Sequence, residues 1–491
     1  MERSTSAGGG GRRTRPAAHE LARYEGLFAA RTSGMKSSAM REMMALTERP
    51  DVISLAGGLP DTSTFAPELY AKLMAQVAEE STARALQYGP TEGMAATVGC
   101  IVEVMAREGT RVDPADVIVT TGGQQVIDLV CKTLIDPGDV IVAEAPTYPG
   151  AVPTFSAYQA EVEQIEIDAD GMPIDALEST LDRLHAEGRR PKFIYTIPNF
   201  QNPGGVTMSL ARRRRLVEVA RERELLVLED NPYGLLRYEG EPLPTLYSLD
   251  AEAVGRGGAS DLVIYLGTFS KILSPGLRLG WAVAPRPVVE KLNLGKQGAD
   301  LCSSPVTQMF VAAYFAELGT EGGPPGPAWI EYVERLKQLY RRRRDVMLEA
   351  LEEHFGGRAS WTRPEGGLFI WASLDGGVDT TDLLARSEGV AFVPGRAAYM
   401  DGRRGSSSMR LNFAGVPDED IREGIRRIGK VMSGDTGLLG TLTGSPSVRA
   451  HAPAAAEPRP PVEDGTPLAD VVALPRRDAE SSRSARRRRD R

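Results

Sequence analysis

Short runs of β-branched and other apolar residues, separated by stretches of helical periodicity, constrain this chain more than anything else in its sequence. VIVTT (117–121) is followed by QQVIDLVCKTLI, and VIVA (140–143), FIYTI (193–197), LLVLE (225–229) and LVIYLG (262–267) follow in turn. Each run is too short for a helix, and its apolarity is continuous rather than alternating, so both faces are expected to be buried. Parallel strands need long crossovers, and helices supply them. The predicted class is therefore α/β, a mostly parallel sheet with helices on both faces. After about residue 325 the pattern changes to a long helix (328–353), GLFIWASL, a short helix, VAFVP, SMRLNF and a terminal helix, which predicts a smaller α+β domain. The segment around VISLAGGLP is expected to complete or bridge it. The predicted division is 1–20 disordered, 21–64 joining the small domain, 65–325 the large domain, 326–432 the small domain and 433–491 disordered.

Composition removes several classes of function. The net charge of −8 has the wrong sign for a polyphosphate binder, so nucleic acid is not an expected partner. The three cysteines, Cys100, Cys131 and Cys302, have neither CxxC spacing nor an even count, which speaks against a disulfide framework and for a reducing cytoplasm. None of the four histidines (His19, His185, His354, His451) lies within ligand spacing of another, so no metal is expected. No apolar run reaches the roughly 18 residues of a membrane span. The Arg runs at 212–215 and 341–344 are expected on exposed helix faces, and that at 486–489 in a solvated tail.

In open α/β sheets ligands sit beyond the carboxyl ends of the strands, and four such ends carry suggestive groups. After VIVTT, Gly122, Gly123 and Gln124 open a helix whose unpaired amides suit a phosphate, although the same residues could form a plain turn. After FIYTI, PNFQNPGG must be a shaped loop that offers the Asn202 amide. After LLVLE come Asp230 and Tyr233, a carboxylate and a phenol where an apolar strand stops; the acid either faces a cation or caps the next helix. After LVIYLG come Thr268, Ser270, Lys271 and, seven positions beyond the lysine, Arg278. Desolvation and nearby cations would make that amine a nucleophile toward carbonyls. One ligand would occupy all four places. Pyridoxal phosphate needs an amine for its aldehyde, a carboxylate for its ring nitrogen, donors for its phenolate oxygen and an anion site for its phosphate.

The segments SLAGGLPD, ALQYGPTEG, TTGGQQVIDL, EAPTYPGA, YTIPNFQNPGG, LEDNPYG, TFSKILSPGLRLGW, RPEGGLFIW, VAFVPG and SMRLNF, between about residues 38 and 432, resemble the fold-type I, class I/II aminotransferases, most closely the 2-aminoadipate and kynurenine branch. The resemblance implies transfer of an α-amino group from an amino acid to a 2-oxo acid such as 2-oxoglutarate. It implies that Lys271 binds the cofactor aldehyde, Asp230 the ring nitrogen, Asn202 and Tyr233 the phenolate oxygen, and that Tyr148 stacks on the ring. Gly123, Gln124, Ser270 and Arg278 would hold the phosphate, with Tyr88 reaching in from the partner subunit of a homodimer. Arg410 would grip the substrate carboxylate and Gly58 approach the substrate. The chain departs from the family pattern at NPGG, at GGQQ and at Asn231. Arg31 and Arg41 are both candidates for a substrate's distal group, and the side-chain pocket stays open. Two rival readings are another reaction of the same cofactor, such as elimination or decarboxylation, and an aminotransferase-like effector domain of a transcriptional regulator. The roughly 35 low-complexity residues ahead of the core are too few for the winged-helix module the regulator requires.

Overall fold

The structure, a computed structural model, describes residues 24–35, 51–255, 259–317, 327–387 and 389–443. The tail expected at 1–20, Arg41, and the stretch from 444 onward, including the Arg run at 486–489, lie outside the described residues. One compact body extends to Leu438.

Its strands begin with β1 (Ile53–Ser54), then β2 (Val117–Thr120), β3 (Val140–Ala145), β4 (Glu161–Glu166) and β5 (Pro191–Thr196). There follow β6 (Leu226–Asp230), β7 (Val263–Thr268) and β8 (Gly280–Val283), and after the helix Pro327–Phe355 come β9 (Ala359–Trp361), β10 (Phe369–Leu374), β11 (Val390–Ala391), β12 (Val393–Pro394) and β13 (Ser408–Asn412). Strands β2 to β8 form one seven-stranded sheet in the order β2-β8-β7-β6-β5-β3-β4, parallel throughout except for β8, which runs antiparallel to both neighbours. The carboxyl ends of β2, β5, β6 and β7 therefore share one edge. A four-stranded antiparallel sheet, β12-β13-β10-β9, belongs to the later part of the chain, and β1 pairs in parallel with β11, Ile53 opposite Val390. That pairing ties the early segment to the later part of the chain.

Two strands of the large sheet are absent from the sequence reading. β4, EVEQIE, alternates charged with apolar residues because it is the sheet's edge and one side meets solvent. β8 is only four residues long and is continuous in sequence with the loop that carries Lys271.

Successive residues of the central strands feed two separate apolar clusters. Val119, Val142, Ile194, Val227 and Tyr265 pack on one side; Ile118, Ile141, Tyr195, Leu228 and Leu266 pack on the other. Burial of each such aliphatic side chain stabilises by about 1.5–3 kcal/mol. Continuous apolar runs follow directly from a layer covered on both faces.

The Arg runs correct the expectation of exposed helix faces. Arg213 is fully buried in the helix Leu210–Glu222, where it donates to the carbonyls of Met208, Pro198 and Pro244 and to Asn199 Oδ1. Arg343 is buried against Asp61 at 2.7 Å, and Arg344 against Glu239 at 2.8 Å. Enough acceptors surround each guanidinium to make burial tolerable, and a run of identical letters hides which members face inward. The terminal helix, expected to stop at 432, spans Asp418–Thr443. The helix runs on through Gly434, since a glycine inside a helix costs only about 1 kcal/mol.

Candidate functional site

Beyond the carboxyl edge of the large sheet lies a cavity of about 300 Å³. Lys271, Asp230, Tyr148, Asn202, Tyr233, Gly123, Gln124, Ser270, Arg278, Arg410 and Gly58 all line it, so eleven positions scattered from 58 to 410 meet in one place.

Asp230 is the last residue of β6 and 5% exposed. Burial pushes its carboxyl up to about 6, opposed by a hydrogen bond of 2.6 Å that Tyr195 Oη donates to Oδ2. Lys271 stands three residues past β7 and donates to the carbonyl of Gly58. Burial, with the charges of Arg410 and Arg278 nearby, brings its amine down to about 8. About a tenth of it is then an unprotonated nucleophile at pH 7, against a few in ten thousand for an ordinary lysine.

At one end of the cavity the helix Gly123–Leu134 begins. Gly122, its N-cap, has φ +81°, and a Cβ there would lie 2.7 Å from Arg278 Nη2. Glycine is needed both for the turn and for the guanidinium laid across it. The first amides of this helix have no intrahelical acceptor, and they share the end wall with Arg278, Thr268 and Ser270. Thr268 Oγ1 accepts from Ser270 N at 3.1 Å and lies 2.9 Å from Ser270 Oγ. The Gln124 side-chain amide is turned onto Gly150 O and Thr154 Oγ1, so its backbone N–H is what it offers the cavity. Gly280 on β8 explains the closeness of this corner: a Cβ there would lie 2.8 Å from both Gly122 C and Gly123 N.

On the opposite wall Arg410, on β13, is fully buried. Nη2 donates to Ala56 O at 2.6 Å, Nη1 donates to Asn202 Oδ1 at 3.0 Å, and Cζ lies 4.3 Å over the Phe369 ring. Asn202 Nδ2 donates in turn to Tyr233 Oη at 3.3 Å, so the guanidinium, the amide and the phenol form one chain of contacts. Burial brings Arg410 down to about 10, which leaves it charged at neutral pH.

Two implied residues stand elsewhere. Tyr88 is 76% exposed and outside this cavity, and Arg31 is exposed on the short turn Ala30–Gly34. Sequence reasoning also missed residues that matter here: Tyr195, Gly280, Phe369 and the carbonyl of Ala56. Tyr195 left a signal, a phenol inside an otherwise apolar strand, which must find a partner when buried. Phe369 and Ala56 left none, since apolar side chains and backbone carbonyls look alike everywhere.

The residues present suit pyridoxal phosphate. The Asp230 carboxylate accepts a single hydrogen bond among the described residues and so keeps capacity for a cationic ring nitrogen; the amine is partly neutral, and unpaired amides and a guanidinium close the far end. Among the described residues no cluster of His, Cys, Asp and Glu could hold a metal, and no helix is long and apolar enough to cross a membrane.

Comparison with known proteins agrees with this geometry. Residues 50–428 match the family model for aminotransferase class I and II. Aromatic-amino-acid aminotransferase 1 of Thermococcus litoralis is 44% identical, over 83% of this chain and 94% of the relative. The crystal structure of a multiple substrate aminotransferase from Thermococcus profundus superposes with a TM-score of 0.76 at 40% identity, covering 84% of this chain and 99% of that one. An alpha-aminoadipate aminotransferase from Thermus thermophilus, solved with N-(5'-phosphopyridoxyl)-L-leucine, gives a TM-score of 0.75 at 37% identity, covering 84% and 99%.

Proposed function

Because the chain belongs to the class I and II aminotransferases, pyridoxal-phosphate enzymes that move an α-amino group from an amino acid to a 2-oxo acid, we propose the following division of work among its residues. The observation that carries it is the shared cavity of Lys271 and Asp230, a lowered amine and a half-filled buried carboxylate. When bound, the cofactor supplies an aldehyde for the amine and a ring that accepts the electron pair released at the substrate's α-carbon. Lys271 Nζ takes the proton from Cα of the amino donor and, in the second half of the exchange, returns one to Cα formed from the acceptor. Asp230 holds a proton on the ring nitrogen by facing it with a negative charge. Asn202 and Tyr233 bond the phenolate oxygen, and Tyr148 covers the ring. Gly123 and Gln124 through their amides, with Ser270 and Arg278, hold the phosphate. Arg410 receives the α-carboxylate bidentately, beside the Gly58 backbone, which fixes the direction of the Cα–H bond.

We assign 2-oxoglutarate as the acceptor, and the large sheet as the cofactor-holding domain with the small sheet and β1 closing over it. Leu86 and Tyr88, 75% and 76% exposed, support a homodimer in which Tyr88 reaches the partner's phosphate end. The three cysteines are unpaired, which supports a reducing cytoplasm.

Single amino acids added to the loaded enzyme should convert the cofactor's absorbance to that of its amino form, and an added 2-oxo acid should restore it with one new amino acid per cycle. Release of ammonia or carbon dioxide in place of that amino acid would overturn the reading in favour of elimination or decarboxylation.

A further inference from the structure

Three carboxylates are buried around the carboxyl edge of the sheet, and they differ in how their oxygens are satisfied. Glu144, on β3, takes donors from Thr196 Oγ1, from Ile197 N at 3.2 Å and from Gln201 Nε2 at 3.0 Å. Glu229 takes two backbone amides, those of Leu246 and Tyr247, each at 2.9 Å. Asp230 takes one donor, Tyr195 Oη, on Oδ2. It is also the only one of the three that lines the cavity.

Tyr195 is fully buried on β5, the strand hydrogen-bonded to β6, with Tyr195 opposite Leu228. Side chains of adjacent strands on one face lie within reach of one another, so its hydroxyl arrives at the end of β6 without any loop. Its ring is fixed from behind by Phe155, edge-on at 5.4 Å, and Phe155 sits in the helix Ala151–Ala157, which starts three residues after Tyr148. The aromatic group that would cover the cofactor ring and the phenol that touches Asp230 thus lean on one packed helix.

We propose that Tyr195 is a positioning residue for transamination: by donating to Oδ2 it turns the Asp230 carboxylate so that its other oxygen meets the cofactor ring nitrogen, and it keeps that carboxylate ionised. The inference rests on Asp230 being the ring-nitrogen acid. A charge-assisted hydrogen bond of this kind favours the ionised form against the desolvation that raises it. The other titratable groups facing this pair are Tyr148, Tyr233 and Glu144, and none of them donates to Asp230. Among the described residues Tyr195 therefore holds the carboxylate by itself.

The test is the carboxyl 13C resonance of Asp230, titrated in the unloaded protein, in the wild type and in Tyr195→Phe. Loss of the donor should raise the midpoint by about one to two pH units. After loading, the variant should lose cofactor on dialysis about tenfold more readily, and the pH dependence of its bound-cofactor absorbance should shift. Phe155→Leu disturbs the packing but keeps the hydroxyl; it should lower the thermal midpoint and leave the Asp230 titration in place. If Tyr195→Phe does not fold, 3-fluorotyrosine in place of Tyr195 keeps the shape and strengthens the donor, and should move the Asp230 midpoint downward. An unchanged Asp230 titration in the folded variant, or an equal shift from Phe155→Leu, would overturn the proposal. A wild type that takes up no cofactor would instead count against the assignment of the site, because the carboxyl titration does not depend on loading.

Discussion

Glu229 and Asp230 are consecutive residues at the end of β6, both buried, and they project to opposite faces of the sheet. Burial raises both, Glu229 to about 7 and Asp230 to about 6. The carboxylate of Glu229 is saturated and lines no cavity: two amides at the start of the helix Leu246–Val254 fill it, and on the same face Arg213 spends its guanidinium on four acceptors, while Asn231 bonds Glu108, Tyr265 and Asn199 on the wall of a second cavity of about 260 Å³. The carboxylate of Asp230 is left with one donor among the described residues and opens on the site cavity. Saturated buried polar groups hold a fold together, while an unsaturated one beside space is a place for a ligand. The difference separates structure from chemistry at adjacent positions of a single strand.

The sharpest way to break this comparison is Lys271→Ala, which should abolish both cofactor absorbance and turnover while leaving thermal unfolding near that of the wild type. Retained turnover would remove the amine from the account. The paired substitutions Asp230→Asn and Glu229→Ala come next. The first should cut turnover by about a hundredfold or more with little change in urea midpoint. The second, which strands two helix amides, should cost about 2–4 kcal/mol of stability and spare the chemistry of whatever remains folded. Similar outcomes for the two would erase the distinction between the faces.

Smaller effects sharpen it. Arg410→Lys exchanges a planar fork for a point charge, and KM for the amino donor should rise by about ten- to a hundredfold with a lesser change in kcat. Gly280→Ala should loosen the phosphate corner, read as faster loss of cofactor on dialysis, because the new methyl group meets the backbone of Gly122 and Gly123. Last is the pH dependence of loading. Lys271 is an ammonium below about 8 and a neutral amine above it, so the rate at which unloaded protein takes up cofactor should climb as pH rises toward 8 and level off beyond. A profile that still climbs steeply at pH 9 would mean that the amine is not desolvated.

Much of this arrangement was legible in the sequence, for identifiable reasons. Strands buried on both faces leave continuous apolar runs, and the residues that end them are few, so Lys271, Asp230, Asn202 and the glycines at 122 and 123 could be read from chemistry alone. Arg410 and Gly58 could not, because nothing local to SMRLNF or AGGLP tells that they close over a distant sheet; only the family resemblance pointed to them. Buried Arg213 and Arg343 were misread because a run of four arginines conceals its inward members, and the acceptors that shelter them come from elsewhere in the chain. β8 escaped because a short strand wedged antiparallel between parallel neighbours is specified by its partners, β2 and β7, and scarcely by its own four residues.

Asp230 ends β6, opposite Leu266 of β7, and the chain returns to the same edge with Lys271. The interval between acid and amine is therefore set by two adjacent strands, about 4.8 Å apart, and by the three residues from Thr268 to Lys271. Segments above these strands are at liberty to vary with the molecule they admit, while the reacting atoms keep their separation.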